Sequence, residues 1–264
     1  MSKVFILNTR TEKIVEENRK LPKITIITSV LNDEKGIEKT IKSVLKQNYK
    51  NLEYIVIDGG STDRTKSIIK KYKRYIHKYD SKKDKGIYHG FNRGLSFATG
   101  DLIGIVNSSD IYTKDAFRFL TKYYHNYPSS DFFFGSVRKH YGILYGYKPW
   151  KIFFSWGFYS SHSTGFFIKK HAAKALGKYN TKYKISSDYD YFYRMIVKKK
   201  FKGVSTKKNE IFGIFARGGF SSRVPMFERT LEELLIRKDN GQNILSLLFI
   251  FFLKIFFNFK KMND

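Results

Sequence analysis

The chain has 264 residues, of which 42% are hydrophobic, and this is enough for one large or two small domains. The absence of cysteine excludes disulfide bridges, thiolate nucleophiles and zinc–sulfur sites. The net charge of +27 leaves nucleic acid, an anionic membrane surface and a phosphorylated substrate as candidate partners. A biased base composition of the gene explains the many Lys, Tyr and Phe residues equally well, and no motif for nucleic-acid recognition accompanies the charge.

Strands and helices alternate along residues 22–127, as the patterns in this half indicate. Apolar runs predict strands over Ile24 to Leu31, over "LEYIVID", near 75–80 and over "DLIGIVN". Helical spacing predicts helices over 34–48, over "STDRTKSIIKKYKRY" and over "KGIYHGFNRGLSFATG". Such alternation predicts a parallel sheet with right-handed crossovers and a ligand at the carboxyl ends of its strands. We therefore expect 22–127 to be a nucleotide-binding half.

The rest of the chain is less regular. Residues 128–223 contain strand patterns, "SDFFFGSVRKHYG" and "STGFFIKK", and helix patterns, "KHAAKALG" and "SSDYDYFYRMIVKKK". We interpret 128–223 as an acceptor-binding and catalytic half, 1–21 as an extension and 224–264 as a C-terminal helical segment.

Both chain ends bear on location. The N-terminal apolar run, Val4 to Leu7, is too short for a signal peptide, so we expect a cytoplasmic protein. The apolar run from Ile244 to Leu253 is short for a transmembrane helix and is followed by lysines. It is typical of an interfacial segment on the inner face of a membrane with anionic lipid, and a core or dimer helix is the alternative.

Acidic residues stand where predicted strands end or helices begin. Each one alone is more often a cap or turn residue. Strands that end on one edge of a sheet would bring several of them together, and this makes a joint site plausible. The residues concerned are Asp58, Asp84, Asp110, Asp188 and Asp190.

Several motifs occur in an order that resembles the family 2 glycosyltransferases with the GT-A fold, bacterial enzymes that build polysaccharides. The resemblance covers about residues 22–220. It rests on "ITIITSVLND", "YIVIDGGSTDRT", "DKGIYHGFNRGLSFATGDLIGIVNSSD", "HSTGFFIKK" and "SSDYDYFYRM". It implies a Rossmann-like mixed sheet flanked by helices and an inverting transfer of a sugar from a nucleotide-activated donor.

The resemblance also implies roles for individual residues. Asp188 occupies the place of the base that activates the acceptor hydroxyl. Asp110 is the residue available to hold Mn²⁺ or Mg²⁺ against the diphosphate, and His162 stands where relatives can carry a histidine near metal or acceptor. Asp190 is assigned to packing or capping.

The nucleotide-sugar contacts implied by the same resemblance lie at the first two strand ends and in the loop before the third helix. They are Thr28, Ser29, Asp58 and Asp84. Arg93, Arg194 or Arg64 would add positive charge at the diphosphate, with Arg194 as a candidate diphosphate contact.

Two positions depart from the family pattern. Gly59 replaces a frequent second aspartate after Asp58, and Ser109 replaces an aspartate at the metal site. A serine hydroxyl is a weak, neutral ligand for a hard cation. Three outcomes follow: Asp110 binds the metal alone, metal binding is weak, or metal is dispensable and basic residues replace it.

The leading interpretation is an inverting glycosyltransferase that uses a nucleotide-diphosphate sugar, with UDP favoured, and a glycan or lipid-linked acceptor. The alternative is a catalytically impaired relative that acts as a binding or scaffold subunit, which the Ser109 departure favours. A nucleotidyltransferase fits the alternation of strands and helices but not "SSDYD" or "GIYHGFNRG". The oligomeric state, the sugar and the acceptor do not follow from the sequence.

Overall fold

The structure, a computed structural model, describes residues 20–154, 158–161, 163–218 and 224–262. The strands are β1 (Ile24–Val30), β2 (Leu52–Asp58), β3 (Lys78–Ser81), β4 (Leu102–Asn107), β5 (Ile111–Tyr112), β6 (Phe132–Phe134), β7 (Ser136–Lys139), β8 (Gly142–Leu144), β9 (Phe166–Lys169), β10 (Gly203–Ser205) and β11 (Ile211–Ile214). The α-helices are α1 (Ile37–Leu45), α2 (Thr65–Lys71), α3 (Ile87–Phe97), α4 (Ala116–Asn126), α5 (Lys170–Leu176), α6 (Ser187–Tyr193), α7 (Met226–Asp239) and α8 (Ile244–Met262).

A seven-stranded sheet in the order β10-β6-β9-β4-β1-β2-β3 forms the centre of the molecule. The apolar runs produce its parallel part, in which β1 pairs with β2 and β4, and β2 pairs with β3. β9 lies antiparallel between β4 and β6, so the sheet is mixed. The predicted class, a mixed sheet flanked by helices, is confirmed.

Successive side chains of β1 point to opposite faces of the sheet, as the period of a strand requires. Ile24 and Ile26 enter a core with α1 and α4. Ile27 enters the other core, where aromatic residues of α3 and α6 pack. Both faces are therefore covered, which explains why β1 is a continuous apolar run.

Residues from the second half complete the same sheet, because β6, β9 and β10 all lie beyond residue 128. A second sheet, in the order β5-β11-β7-β8, stands beside it. β5 comes from the first half and pairs antiparallel with β11 of the second. The two halves therefore share strands in both sheets.

A buried acidic network ties the amino ends of β1 and β2 to the start of β4. Glu53 accepts hydrogen bonds from Lys23 Nζ (2.8 Å), Thr25 Oγ1 (2.6 Å) and Thr99 N (2.7 Å). Burial alone raises the pKa of Glu53, but these donors outweigh it and hold the pKa at about 2. This end of the sheet is thus held by charge and lies opposite the edge where ligands bind.

The last two helices pack against each other, and α7 also contacts α6. On the inner side of α8, Leu247 and Ile250 are buried, and Lys254 forms an ion pair with Glu233. Among the residues that the structure describes, none of the helices combines the length and apolarity that a membrane crossing needs.

Candidate active site

The carboxyl ends of β1 and β4 lie side by side near the middle of the large sheet, with Ser29 opposite Asn107. From β1 the chain adds β2 and β3 on one side and then β4 on the other. A reversal of this kind opens a crevice above the strand ends, and ligands of open α/β sheets bind there. The polar residues of the two loops that follow β1 and β4 therefore define the candidate site.

Asp33, in the loop between β1 and α1, reaches the end of β4. Its Oδ2 atom accepts hydrogen bonds from the hydroxyls of Ser108 and Ser109, the latter at 2.8 Å. Its Oδ1 atom accepts a hydrogen bond from the backbone N–H of Gly36 at 3.0 Å. The sequence analysis missed Asp33, although "ITSVLND" places it directly after a strand end, the same signal that selected Asp58 and Asp110.

Two backbone features permit this contact. Ser109 has a φ of 74°, a left-handed conformation that is uncommon for serine. Gly36 lies so close that an added Cβ would overlap both the Ser109 hydroxyl and the Asp33 carboxylate. The loops after β1 and β4 can therefore approach this closely only with glycine at position 36. The strained backbone of Ser109 lies at the point of contact.

Asn107 carries an unsatisfied acceptor at the same strand end. Within the described residues, its buried Oδ1 atom accepts no hydrogen bond, while its Nδ2 donates a long one of 3.4 Å to Ser163 Oγ. An orphaned buried oxygen costs free energy unless a ligand or water meets it. The atom is thus a candidate contact for whatever binds beside Asp33.

Asp110 lies below the crevice and is only 3% exposed. Its Oδ1 accepts from the backbone N–H of Ala216 (2.9 Å) and its Oδ2 from Thr164 Oγ1 (3.2 Å). Burial raises the pKa of Asp110 from 3.8 to about 7 against these hydrogen bonds. Both carboxylate oxygens thus tie the end of β4 to the protein around it, and the role of Asp110 as a metal ligand stays a prediction.

Asp58 is also an interior carboxylate and has no exposed surface. Its Oδ1 accepts from Ser61 N (3.0 Å) and Oγ (2.5 Å), and its Oδ2 accepts from Ser81 Oγ (2.5 Å). These bonds shape the loop after β2 and join it to β3. Asp58 thus supports the loop after β2, and its contact with a nucleoside stays a prediction.

Asp84 and Ser29 meet at α3. A Cβ on Gly59 would lie 3.0 Å from Asp84 Oδ2, and a Cβ on Gly90 would lie 2.6 Å from Ser29 Oγ and 3.4 Å from Asp84 Oδ2. The two side chains therefore converge beside Gly90. The Asp84 carboxylate lies against Gly59, so a second aspartate at 59 would bring two negative charges together.

Arg93 of α3 holds the loop that carries Asp84. Its Nη2 lies 2.8 Å from Asp80 Oδ2, and its Nη1 donates to the carbonyl of Lys82 and lies 3.7 Å from Asp84 Oδ2. The guanidinium is partly exposed, at 21% of the side chain. Arg93 thus positions the donor-side loop, and direct contact with a nucleotide sugar stays a prediction.

Two further predicted contacts, Thr28 and Arg194, have protein partners in the structure, and their contact with a donor stays a prediction. Thr28 is fully buried and its hydroxyl lies 3.0 Å from the Tyr54 hydroxyl, on the face of β1 opposite Ser29. Arg194 donates from Nε to Asp190 (2.8 Å) and from its other two nitrogens to the carbonyls of Leu176 and Lys178. Strand alternation turns the Thr28 side chain away from the crevice. The Arg194 guanidinium instead binds backbone carbonyls at the C-terminal end of α5.

Asp188 begins α6 and is half-buried. Its Oδ1 accepts hydrogen bonds from the Tyr88 hydroxyl (3.1 Å) and from the backbone N–H of Tyr189 (3.0 Å). Tyr88 belongs to α3 and shares its one hydroxyl hydrogen between Asp188 and the carbonyl of Ile185, which lies at 2.8 Å. One tyrosine of the nucleotide-side half therefore orients the predicted base in the other half.

Glu232 of α7 caps the loop in front of Asp188. Its carboxylate accepts from the backbone N–H groups of Lys184 (2.7 Å), Ile185 (2.8 Å) and Ser186 (2.6 Å). These donors precede α6 and have no carbonyl of a preceding turn to bond. Glu232 thus joins α7 to the loop in front of the predicted base, a contact that sequence spacing does not reveal.

The side chains at the ends of β1 and β4 supply few oxygen ligands for a divalent cation. Among the described residues, no three His, Asp or Glu side chains come together as a metal cage. Mg²⁺ and similar cations are often held by one or two carboxylates together with substrate phosphates. Asp33, with the hydroxyls of Ser108 and Ser109 and the orphaned Asn107 oxygen, meets that need. His162 lies outside the described residues.

Comparisons with known proteins agree with this geometry. The model of the family described as "Glycosyl transferase family 2" matches residues 25–203, more than half of the chain. The chain therefore belongs to glycosyl transferase family 2.

Curated relatives are similar over different spans. An uncharacterized glycosyltransferase of Mycobacterium tuberculosis H37Rv is 36% identical over 93 residues, which are 35% of this chain and 36% of that protein. Glycosyltransferase GlyA of Streptococcus pneumoniae is 34% identical over 95 residues, 35% of this chain and 14% of that protein. The chain thus covers about a third or less of these two relatives. A PGL/p-HBAD biosynthesis glycosyltransferase of Mycobacterium bovis is 25% identical over 81% of this chain and 89% of its own.

Solved structures show the same fold. TarS of S. aureus, residues 1–349, aligns with a TM-score of 0.64 at 17% identity, over 81% of this chain and 64% of that chain. The mannosyltransferase PcManGT of Pyrobaculum calidifontis, in complex with GDP-Man and Mn²⁺, aligns with a TM-score of 0.63 at 15% identity, over 89% and 70%. TarS has also been solved in complex with UDP-GlcNAc.

Proposed function

We propose that the protein transfers a sugar from a nucleoside diphosphate sugar to a hydroxyl group of a glycan or lipid-linked acceptor, with inversion at the anomeric carbon. The observation that carries this proposal is the bond from Tyr88 to Asp188, because it links the two halves around one carboxylate. Family membership and the neighbours solved with UDP-GlcNAc and GDP-Man support the donor class. A UDP-sugar is the favoured donor, in bacterial surface polysaccharide synthesis.

In the proposed reaction the Asp188 carboxylate takes the proton of the acceptor hydroxyl as its oxygen attacks the anomeric carbon. The bond from that carbon to the diphosphate oxygen breaks, and the nucleoside diphosphate leaves with the electron pair. The Tyr88 hydroxyl and the N–H of Tyr189 hold Oδ1 in place. A bound divalent cation would supply positive charge against the leaving diphosphate.

One experiment distinguishes binding of the donor from transfer of the sugar. A thermal-shift panel of UDP-, GDP-, dTDP- and CMP-sugars, with and without Mn²⁺, identifies the donor. With that donor, Asp188→Asn is expected to retain binding and to lose transfer at least about a hundredfold, in line with general-base catalysis. Asp115→Asn, at a half-exposed aspartate directly before α4, is the matched control.

The outcomes discriminate between the candidates. Transfer by Asp188→Asn at the wild-type rate would remove the base assignment. Donor binding by a wild-type protein that transfers to no acceptor would instead favour the impaired binding subunit.

Peripheral membrane association is part of this proposal. A stripe on α8 remains exposed: Leu245 (76%), Phe249 (60%), Phe252 (65%) and Phe256 (80%). These positions recur at helical spacing on the side away from α7. The net charge of +27 complements anionic lipid, and a lipid-linked acceptor would be presented on the same surface.

Vesicle sedimentation tests this location. A chain ending at Gln242, which retains α7, and the triple variant Leu245→Asp, Phe249→Asp, Phe252→Asp are expected to lose binding to vesicles containing phosphatidylglycerol. Unchanged binding by both would refute the membrane face. A wild-type dimer that the triple variant turns into a monomer would identify the stripe as a dimer contact instead.

A further inference from the structure

We propose that Asp33 supplies the carboxylate that holds a divalent cation at the donor site. The inference rests on the proposed function, because the remaining ligands would come from the diphosphate of the donor. The metal-binding carboxylate would then come from Asp33, in the loop after β1, and not from Asp110 after β4.

Position is the first argument. The Asp33 carboxylate is half-buried at the carboxyl edge of the sheet and lies against the hydroxyls of Ser108 and Ser109. The backbone there is already strained, since Ser109 has a φ of 74°. Strain of this kind persists where surrounding structure enforces it, and it occurs often at ligand sites.

The second argument is the contrast with Asp110. Asp110 is 3% exposed, and each of its oxygens accepts a hydrogen bond from the protein. A cation at Asp110 would have to enter the protein interior. Asp33 is also hydrogen-bonded, but it is only half-buried, and Oδ2 faces the exposed Ser109 and a second hydroxyl that can rotate their hydrogens away.

The third argument concerns Asn107, the residue before Ser108 in the chain, which has an unsatisfied side-chain oxygen. Within the described part of the chain, this Oδ1 atom is buried and accepts no hydrogen bond. Carboxylate, amide and hydroxyl oxygens are the hard ligands that Mg²⁺ and Mn²⁺ accept. One carboxylate with neutral oxygens and diphosphate is a sufficient set for such a cation.

Mn²⁺ binding measured by electron paramagnetic resonance tests the assignment without measuring transfer. The full chain is titrated with Mn²⁺ in the presence and absence of UDP and GDP, and the free Mn²⁺ signal gives the affinity. Asp33→Asn removes the charge but retains a side-chain oxygen that can accept from the Gly36 N–H. Asp33→Ser is a second variant with a shorter oxygen acceptor, and thermal unfolding reports whether each variant is folded.

Asp33→Asn and Asp33→Ser are expected to weaken Mn²⁺ binding by at least about tenfold, since even residues behind the metal ligands change affinity by that much. Asp110→Asn and the control Asp115→Asn are expected to stay within about threefold of wild type. The double variant Asp33→Asn, Ser109→Asp returns a carboxylate to the same place and is expected to recover most of the affinity.

Unchanged Mn²⁺ affinity in the Asp33 variants would overturn the inference, and so would a loss confined to Asp110→Asn. A loss that Ser109→Asp does not restore would also overturn it, because Asp33 would then act by shaping the loop. Nucleotide binding that Mn²⁺ leaves unaltered contradicts the cation site and leaves the donor class standing. Absence of binding to every nucleotide sugar refutes the proposed function itself.

Discussion

Replacing Glu232 with glutamine should weaken both the fold and the proposed active site. The wild-type carboxylate accepts three backbone N–H groups, from Lys184, Ile185 and Ser186, at 2.6–2.8 Å. Glutamine has the same shape but only one acceptor oxygen, and its NH₂ group would face a backbone donor. At least one of the three hydrogen bonds is lost, and the remaining ones no longer have a charged acceptor.

A hydrogen bond to a charged group contributes about 1.5–3 kcal/mol. Loss of one such bond and weakening of two others predicts a destabilisation of about 2–4 kcal/mol. For a chain of this size that is a decrease in Tm of roughly 5–15 °C. Because the three donors lead directly into Asp188, transfer should fall about tenfold or more, while donor binding at the β1 and β4 ends should persist.

Urea and thermal unfolding measure the first effect, and release of nucleoside diphosphate with the identified donor measures the second. Glu228→Gln is the matched control, since Glu228 is an exposed residue of the same helix. Equal Tm values and equal transfer rates for the two variants would show that the cap contributes nothing, and the reasoning would be wrong.

Three further predictions concern individual buried groups. Thr28→Val should leave donor affinity within about twofold of wild type, while urea unfolding should show a loss of about 1–3 kcal/mol because the Tyr54 hydroxyl loses its partner; a large loss of affinity would restore Thr28 to the site. The pKa of Glu53 is lowered from 4.5 to about 2, so its contribution of up to about 3 kcal/mol is present above pH 4.5 and disappears as the pH falls towards 2. Wild type should therefore lose more stability than Glu53→Gln between pH 5 and pH 2.5, and parallel urea curves would contradict this. Gly36→Ala should weaken Mn²⁺-dependent nucleotide binding, because the added methyl group overlaps the Ser109 hydroxyl; unchanged calorimetric affinity would count against the tight loop contact.

Much of the fold could be predicted because the strands of a sheet covered on both faces are apolar runs. The first, second and fourth strands were predicted from "ITIITSV", "LEYIVID" and "LIGIVN", and the structure forms β1, β2 and β4 there. The antiparallel position of β9 between β4 and β6 could not be predicted, because pairing between distant strands leaves no local pattern.

The candidate site was predicted in outline and less well in detail. Strand ends predict one edge of the sheet as the site, but which carboxylates are exposed there depends on partners far along the chain. Asp110 is covered by Ala216, which is 106 residues away, and Asp33 meets Ser109 across 76 residues. The opposite directions of Thr28 and Ser29 did follow from strand alternation, and that rule should have excluded one of them.

The arrangement of the last two helices makes the predicted base sensitive to events at the protein's outer surface. α8 packs on α7, and α7 carries Glu232, so force applied to α8 reaches the loop of Asp188 through one helix. Hydrogen bonds weaken steeply when their geometry is lost, and a displacement of about 1 Å at a reacting group can reduce a rate about a hundredfold. Adsorption of α8 to a membrane, as proposed above, is therefore expected to alter the geometry around Asp188, and turnover in solution and on vesicles is expected to differ with the same donor.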